Sequence, residues 1–199
     1  LLALPKEGRL YVWDESSGTS GRAVVVPTAP SASNFMFVSQ QDRHVICLGT
    51  HGVASGFDPM LVRWSDQNDY ANWNVNVSST SGENQLGDGS ELVTGLNTRN
   101  QSLIWTDNAV HAMEFVGPPF IFNFRQLGSN CGIAGQHAAI ELDGRIFWMG
   151  AKDFFVYDGA VKNLPCTVRR YVFDDFNYDQ KEKVYAGTNQ EFREVTWLY

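Results

Sequence analysis

Leu103-Ile104-Trp105-Thr106-Asp107 is a β-branched and aromatic run that ends on a tryptophan and then meets a turn residue. The same gesture occurs at Leu10-Tyr11-Val12-Trp13-Asp14, Leu61-Val62-Arg63-Trp64-Ser65-Asp66, Ile146-Phe147-Trp148-Met149-Gly150 and Val195-Thr196-Trp197-Leu198-Tyr199. Such runs favour strands, and the Asp or Gly that follows opens a turn. Five of the six tryptophans stand at these places, at intervals of 51, 41, 43 and 49 residues. A period of that length corresponds to one small sheet per unit, as in a β-propeller whose tryptophans pack between neighbouring sheets. An ordinary sandwich or barrel is the competing all-β reading.

The segments around the tryptophans extend this reading. Glu91 to Leu96, Ser102 to Trp105, Ala109 to Phe115 and Ile121 to Gln126 read as four successive strands, and Asn97-Thr98-Arg99-Asn100, Thr106-Asp107-Asn108 and Gly117-Pro118-Pro119 separate them. Ala138 to Leu142, Arg145 to Met149, Phe154 to Tyr157 and Ala160 to Leu164 repeat the scheme, with Asp143-Gly144 and Asp158-Gly159 as hairpin turns. Earlier strands are expected at Gly8 to Asp14, Arg22 to Val26, Asn34 to Val38, Arg43 to Leu48 and Met60 to Trp64, and a further unit starts at Val184. Residues 65 to 90, rich in Asn, Ser, Gly and Asp, read as one long connection. One short helix is expected near 168–180, within Val168 to Lys183. The whole, residues 1–199, is expected to be a single propeller domain or a fragment of one. Leu1-Leu2-Ala3-Leu4-Pro5 has no initiator methionine and Tyr199 falls inside an apparent strand, so the expectation is a piece of a longer polypeptide.

Composition bounds the function classes. The chain is 43% hydrophobic, 13% aromatic and 19% charged, with 18 glycines, which suits a turn-rich β protein with a substantial core. The greasiest segment, Phe115 to Phe124, is broken by Gly117-Pro118-Pro119 and is too short to span a bilayer as a helix. Net charge is −7, and no basic stripe is present: residues 1–100 carry 6 basic and 10 acidic groups, 101–142 carry 1 and 3, and 143–199 carry 8 and 9. Tight grip on phosphate backbones needs clustered Lys and Arg, so stable nucleic-acid binding is not expected. Cys47, Cys131 and Cys166 have no metal or redox spacing and read as reduced, packed thiols of a cytoplasmic product. The sequons at Asn76 and Asn100 carry no weight without a secretory signal.

No catalytic constellation emerges. His44 and Cys47 fall on opposite faces of an expected strand, which leaves only His51 to join either as a zinc ligand, and packed or surface histidines are the better reading. Asp174, Asp175, Asp179 and Glu182 alternate with Arg169, Arg170, Lys181 and Lys183, the pattern of a solvated face. Gly87-Asp88-Gly89 lacks the third glycine and helix of a dinucleotide loop, and no nucleophile elbow or phosphate loop is present. Ser65 to Trp73 superficially matches a sialidase Asp-box turn but lacks its glycine, and Arg63, Arg99 and Arg125 do not assign an arginine triad. Phe120 and Phe122 are expected either to be buried by a rigid Gly117-Pro118-Pro119 turn or to form a sticky exposed element.

Taken together, Asp58-Pro59-Met60-Leu61-Val62-Arg63-Trp64-Ser65-Asp66-Gln67, Leu103 to Asp107, Val116-Gly117-Pro118-Pro119-Phe120, Gly128-Ser129-Asn130-Cys131-Gly132 and Tyr157-Asp158-Gly159 resemble bacteriophage tail proteins. The closest group is the nozzle or hub of short-tailed phages, similar to tail tubular protein B and the packaged-DNA stabilisation proteins, over about residues 58–199. The resemblance implies a structural virion component without catalysis or cofactor, assembled in the host cytoplasm and built around a propeller. It further implies a hexameric ring below the portal and adaptor, through which DNA leaves the particle, and contacts with tail fibres or spikes. Residues 65 to 90 and the Gly117 to Phe120 turn are expected to supply the ring contacts, residues 74 to 88 being dispensable for the monomer. The alternatives are a carbohydrate-binding or sialidase-like propeller and a WD-type scaffold; only Trp13-Asp14 shows the WD dipeptide.

Overall fold

A computed structural model describes residues 1–199, the side chain of Ser17 excepted. The chain is all-β with antiparallel sheets, and its seventeen strands fall into five sheets in chain order. It divides into two compact units, Leu1–Gly87 with Gly117–Ile121, and Asp88–Val116 with Phe122–Tyr199.

The first unit opens with a three-stranded sheet of β1 (Leu2–Ala3), β2 (Tyr11–Val12) and β3 (Val24–Val25). A four-stranded sheet follows, running β4 (Ser33–Val38), β5 (Val45–His51), β6 (Phe57–Trp64) and β7 (Gly82–Gln85). Leu10, Val26, Val45, Cys47 and Trp73 form a buried cluster within this unit. β5 is buried along nearly its whole length, as its run Val-Ile-Cys-Leu-Gly-Thr dictates for a central strand.

The next four-stranded sheet runs β8 (Leu92–Asn97), β9 (Ser102–Thr106), β10 (Ala109–Gly117) and β11 (Ile121–Ser129), the β10–β11 tip grouping with the first unit. In the second unit another sheet runs β12 (Ala139–Leu142), β13 (Arg145–Met149), β14 (Phe154–Tyr157) and β15 (Val161–Asn163). Leu142 faces Arg145 in the register, which leaves Asp143-Gly144 as a two-residue loop. Both have positive φ, 53° and 73°, the turn that matches the twist of a hairpin and for which Asp-Gly is the strongest sequence signal. Then come α1 (Arg169–Asp175), a 3₁₀ segment at Tyr178–Lys183, and a ladder of β16 (Tyr185–Asn189) with β17 (Glu194–Leu198). The expected helix is therefore two pieces: Val172, Phe173 and Phe176 turn into the core, and the chain kinks at Phe176 and Asn177 between them.

Three features differ from expectation. β7 lies inside the stretch read as one loop; Gly-Glu-Asn-Gln has little strand propensity, and its pairing with Leu61–Trp64 makes it a strand. β1, which carries no strand signal in the sequence, pairs with β2. Trp64 ends the third strand of its sheet, whereas Trp105, Trp148 and Trp197 each occupy the fourth place of a five-residue second strand, and Trp13 directly follows the second strand β2. The rhythm of tryptophans thus marks one structural position three times, with Trp13 just beyond the matching strand and Trp64 elsewhere.

In the second unit the tryptophans tie one sheet to the next. Trp148 is fully buried, donates its indole N–H to the Cys131 carbonyl at 2.9 Å and stacks on Phe155. Trp197 donates to the Ala138 carbonyl at 3.0 Å and lies 5.0 Å from Phe154. β16 runs alongside β12, joined by a parallel bridge between Tyr185 and His137, so the first strands of these two successive sheets are neighbours.

Candidate functional site

The Trp-Ser/Thr-Asp words of the sequence are turn clamps. After β6, the Asp66 carboxylate accepts hydrogen bonds from the backbone and hydroxyl of Thr80 at 2.9 and 2.6 Å, from the Gln67 N–H at 2.9 Å and from the Asn72 amide at 2.9 Å. After β9, the Asp107 carboxylate accepts from the Ser90 N–H at 2.7 Å and hydroxyl at 2.6 Å, and from the Glu91 N–H at 3.3 Å. Burial pushes both carboxyls up, but these donors outweigh it and hold them below the usual carboxylate range. The preceding hydroxyls complete the device: Ser65 accepts from the Val45 N–H at 3.0 Å, and Thr106 accepts from the Ala109 N–H at 2.7 Å while donating to the Asp88 carbonyl at 2.8 Å. What the sequence reads as a possible Asp box is a braced loop, in which Trp73 is 2% exposed and its indole donates to the Tyr70 carbonyl.

A second knot centres on Asp88, of the Gly87-Asp88-Gly89 stretch that has no dinucleotide-loop pattern. Its carboxylate accepts from Asn108 and Gln126, each at 2.5 Å, and a hydrogen bond with Ser129 is the largest cause holding its carboxyl low. His111 is buried nearby; burial disfavours its charged form, and the Asp88 charge only partly offsets that.

The zinc possibility is not assembled. His44 Nδ1 lies 2.6 Å from Asp42 Oδ2 and its Nε2 3.0 Å from the Thr80 hydroxyl, Cys47 is enclosed, and His51 packs against Phe57. Among the described residues no group of three or more His, Cys, Asp or Glu could hold a metal ion. Burial pushes the Cys47 thiol up to about 12 and the Cys131 thiol up to about 11, which marks both as packing thiols.

The arginines and acidic residues are likewise separate. Arg63 is a buried strut in the first unit: it donates to the His51 and Trp73 carbonyls at 3.0 and 3.3 Å and pairs with Glu83 at 3.6 Å. Arg99 and Arg125 are exposed. Asp174 pairs with Arg170 at 3.4 Å on the exposed side of α1, as the alternating charges of that stretch foretold.

The surfaces expected to make contacts are only partly exposed. In the 65–90 stretch Tyr70, Val75 and Val77 are open to solvent, Val77 completely, whereas Thr80 bonds to Asp66, Ser81 is buried and Gly82 begins β7. The Pro118-Pro119 peptide is cis; Phe120 is 79% exposed while Phe122 is 7% exposed, so that tip splits one ring outward and one inward. Removing residues 74 to 88 would take away β7 and the Thr80 bonds to Asp66, so that segment is integral to the monomer. Among the described residues no helix is long and apolar enough to cross a membrane. No family model matches the chain, and no curated protein matches it.

Proposed function

We propose that the chain is part of a β-propeller that serves as a structural component of a bacteriophage tail, in the nozzle or hub ring. The observation that carries this reading is the repeated meander: three successive sheets of four antiparallel strands in chain order, each sheet supplying about one blade. The neighbouring first strands β12 and β16, and Trp148 and Trp197 donating to the Cys131 and Ala138 carbonyls that precede their own sheets, support it.

The residues that resemble the tail family act here as structural punctuation. Asp66 and Asp107 clamp turns, Gly132 lets two backbones approach, Asp158-Gly159 turns a hairpin, and Phe120 stands in solvent. A scaffold needs such parts. Six copies would form a ring below portal and adaptor, hold fibres or spikes outside, and let DNA pass. An acidic balance without basic stripes favours passage over retention of a polyanion. A cyclic head-to-tail ring pairs two different patches of one subunit. The Tyr70, Val75 and Val77 loop and the Phe120 tip supply apolar surface for such patches.

Sedimentation velocity tests the reading. The protein should sediment as a closed six-subunit species, and Val77→Asp should convert it to folded monomer. A wild-type protein that stays monomeric at every concentration would overturn the proposal.

A further inference from the structure

The second unit carries a cleft of about 700 Å³ that the scaffold reading leaves without a task. That volume lies within the roughly 300–1,000 Å³ of ordinary ligand sites. Two turns frame it, Asn97 to Ser102 between β8 and β9 and Leu142 to Arg145 between β12 and β13. Each joins the first and second strands of its sheet.

The turns are held before any ligand arrives. Thr98 donates its hydroxyl to the Gln101 carbonyl at 2.6 Å, Ser102 donates to Asn97 at 2.9 Å, and the Gln101 side-chain amide donates to the Tyr157 phenol oxygen at 2.9 Å. Arg99 and Asn100 bring donors to one side, Glu141 and Asp143 bring carboxylate acceptors to the other, and Ile146 and the Tyr157 ring add apolar surface. Arg193 lies 3.6 Å from Asp143.

This lining discriminates between ligand classes. An anion would meet two carboxylates, and a cation would meet Arg99. A neutral polyhydroxyl ligand can donate to Glu141 and Asp143, accept from Arg99 and the carboxamides, and lay its C–H face on Tyr157. We propose that the cleft between the Asn97–Ser102 and Leu142–Arg145 turns binds a neutral oligosaccharide. The cleft is open to solvent, and its preorganised turns limit the ordering cost of binding. This inference stands apart from the ring: sugar binding by a protein that forms no ring leaves it intact.

The test is an amide NMR titration of the full chain with cellotriose, maltotriose and tri-N-acetylchitotriose, using penta-lysine and inorganic phosphate as charged controls. Saturable shifts of the Gly144 amide and the Gln101 side-chain amide with at least one sugar are expected. Glu141→Gln and Gln101→Ala should each weaken that binding about tenfold with spectra changed only near the substituted residue, and Asp174→Asn on exposed α1 should leave it alone. Absence of saturable shifts with all three sugars, or equal shifts with either charged control, would overturn the proposal.

Discussion

Trp105 and Trp148 meet edge to face, their ring centroids 5.5 Å apart and their planes at 67°. Each is the fourth residue of the second strand of its sheet, so one repeated sequence position produces a contact between consecutive repeats. Such a pair contributes about 0.5–1.5 kcal/mol beyond its buried area. Trp148 also spends its N–H on Cys131 and stacks on Phe155. Trp148→Ala should therefore cost about 3–5 kcal/mol, measured by urea unfolding, and Trp148→Phe clearly less. Equal, small losses for both would deny the tryptophan its role as the tie between repeats.

Gly132 sits where a side chain has no room. A Cβ placed there would run into the Asp107 carbonyl group and the Asn108 nitrogen, both backbone. Gly132→Ala must shift one of two chain segments and should cost at least about 1–3 kcal/mol, the usual scale of overpacking. A variant as stable as the parent would show that the two backbones are not held at this distance.

Two groups of side chains give stability a stepped dependence on pH. His111 has its folded value depressed by burial, so below about pH 6.5 the unfolded chain takes up a proton that the folded chain refuses, and stability falls with acid. Asp66 and Asp107, also depressed, stabilise fully above about pH 4 and lose that contribution as pH falls further through their folded values. Urea midpoints measured from pH 8 to pH 3 should show both limbs. His111→Gln should flatten the upper limb alone and Asp107→Asn should weaken the lower one; an unchanged upper limb in the histidine variant would count against its burial as a neutral ring.

The three thiols should differ in reactivity. Cys47 and Cys131 are buried and held in the protonated form, whereas Cys166 is partly exposed. Near neutral pH a thiol reagent should modify one cysteine quickly and the other two only on unfolding. Rapid reaction of Cys47, read by peptide mass mapping, would contradict the packing of β5.

In the proposed ring, Val77 and Phe120 should tolerate charge in the monomer and not in the assembly. Val77 and Phe120 are exposed, so Val77→Asp and Phe120→Asp should change monomer stability by no more than about 0.5 kcal/mol. Loss of thermal stability in either, compared with wild-type protein diluted to monomer, would mean that these side chains pack within the subunit.

Much of the fold was legible because local signals agreed. From β8 to β15 apolar runs alternate with Asn, Asp and Gly turns, and every strand there falls close to its expected place. Asp143-Gly144 fixed a register by itself. The misses have a common cause in tertiary pairing. Gly82–Gln85 and Leu2–Ala3 are strands only because a neighbour offers hydrogen bonds, and Trp64 looks locally like Trp105 although it belongs to a different strand of its sheet. Sites assembled across sequence were equally hidden: Gln101 and Tyr157 meet across 56 residues, and nothing in either neighbourhood announces the other. The Trp-Ser/Thr-Asp words, by contrast, were visible as words, and hydrogen bonds to Asp66 and Asp107 show what they do.

The central proposal is that successive four-stranded sheets stand as blades about an axis in a subunit that closes into a ring. Electron cryo-microscopy of the assembled protein tests it most directly. The account predicts a six-fold ring with an open pore, each subunit showing sheets arranged radially with their first strands toward a common axis. Sheets stacked face to face as a sandwich, or particles that are single subunits without a pore, would contradict it.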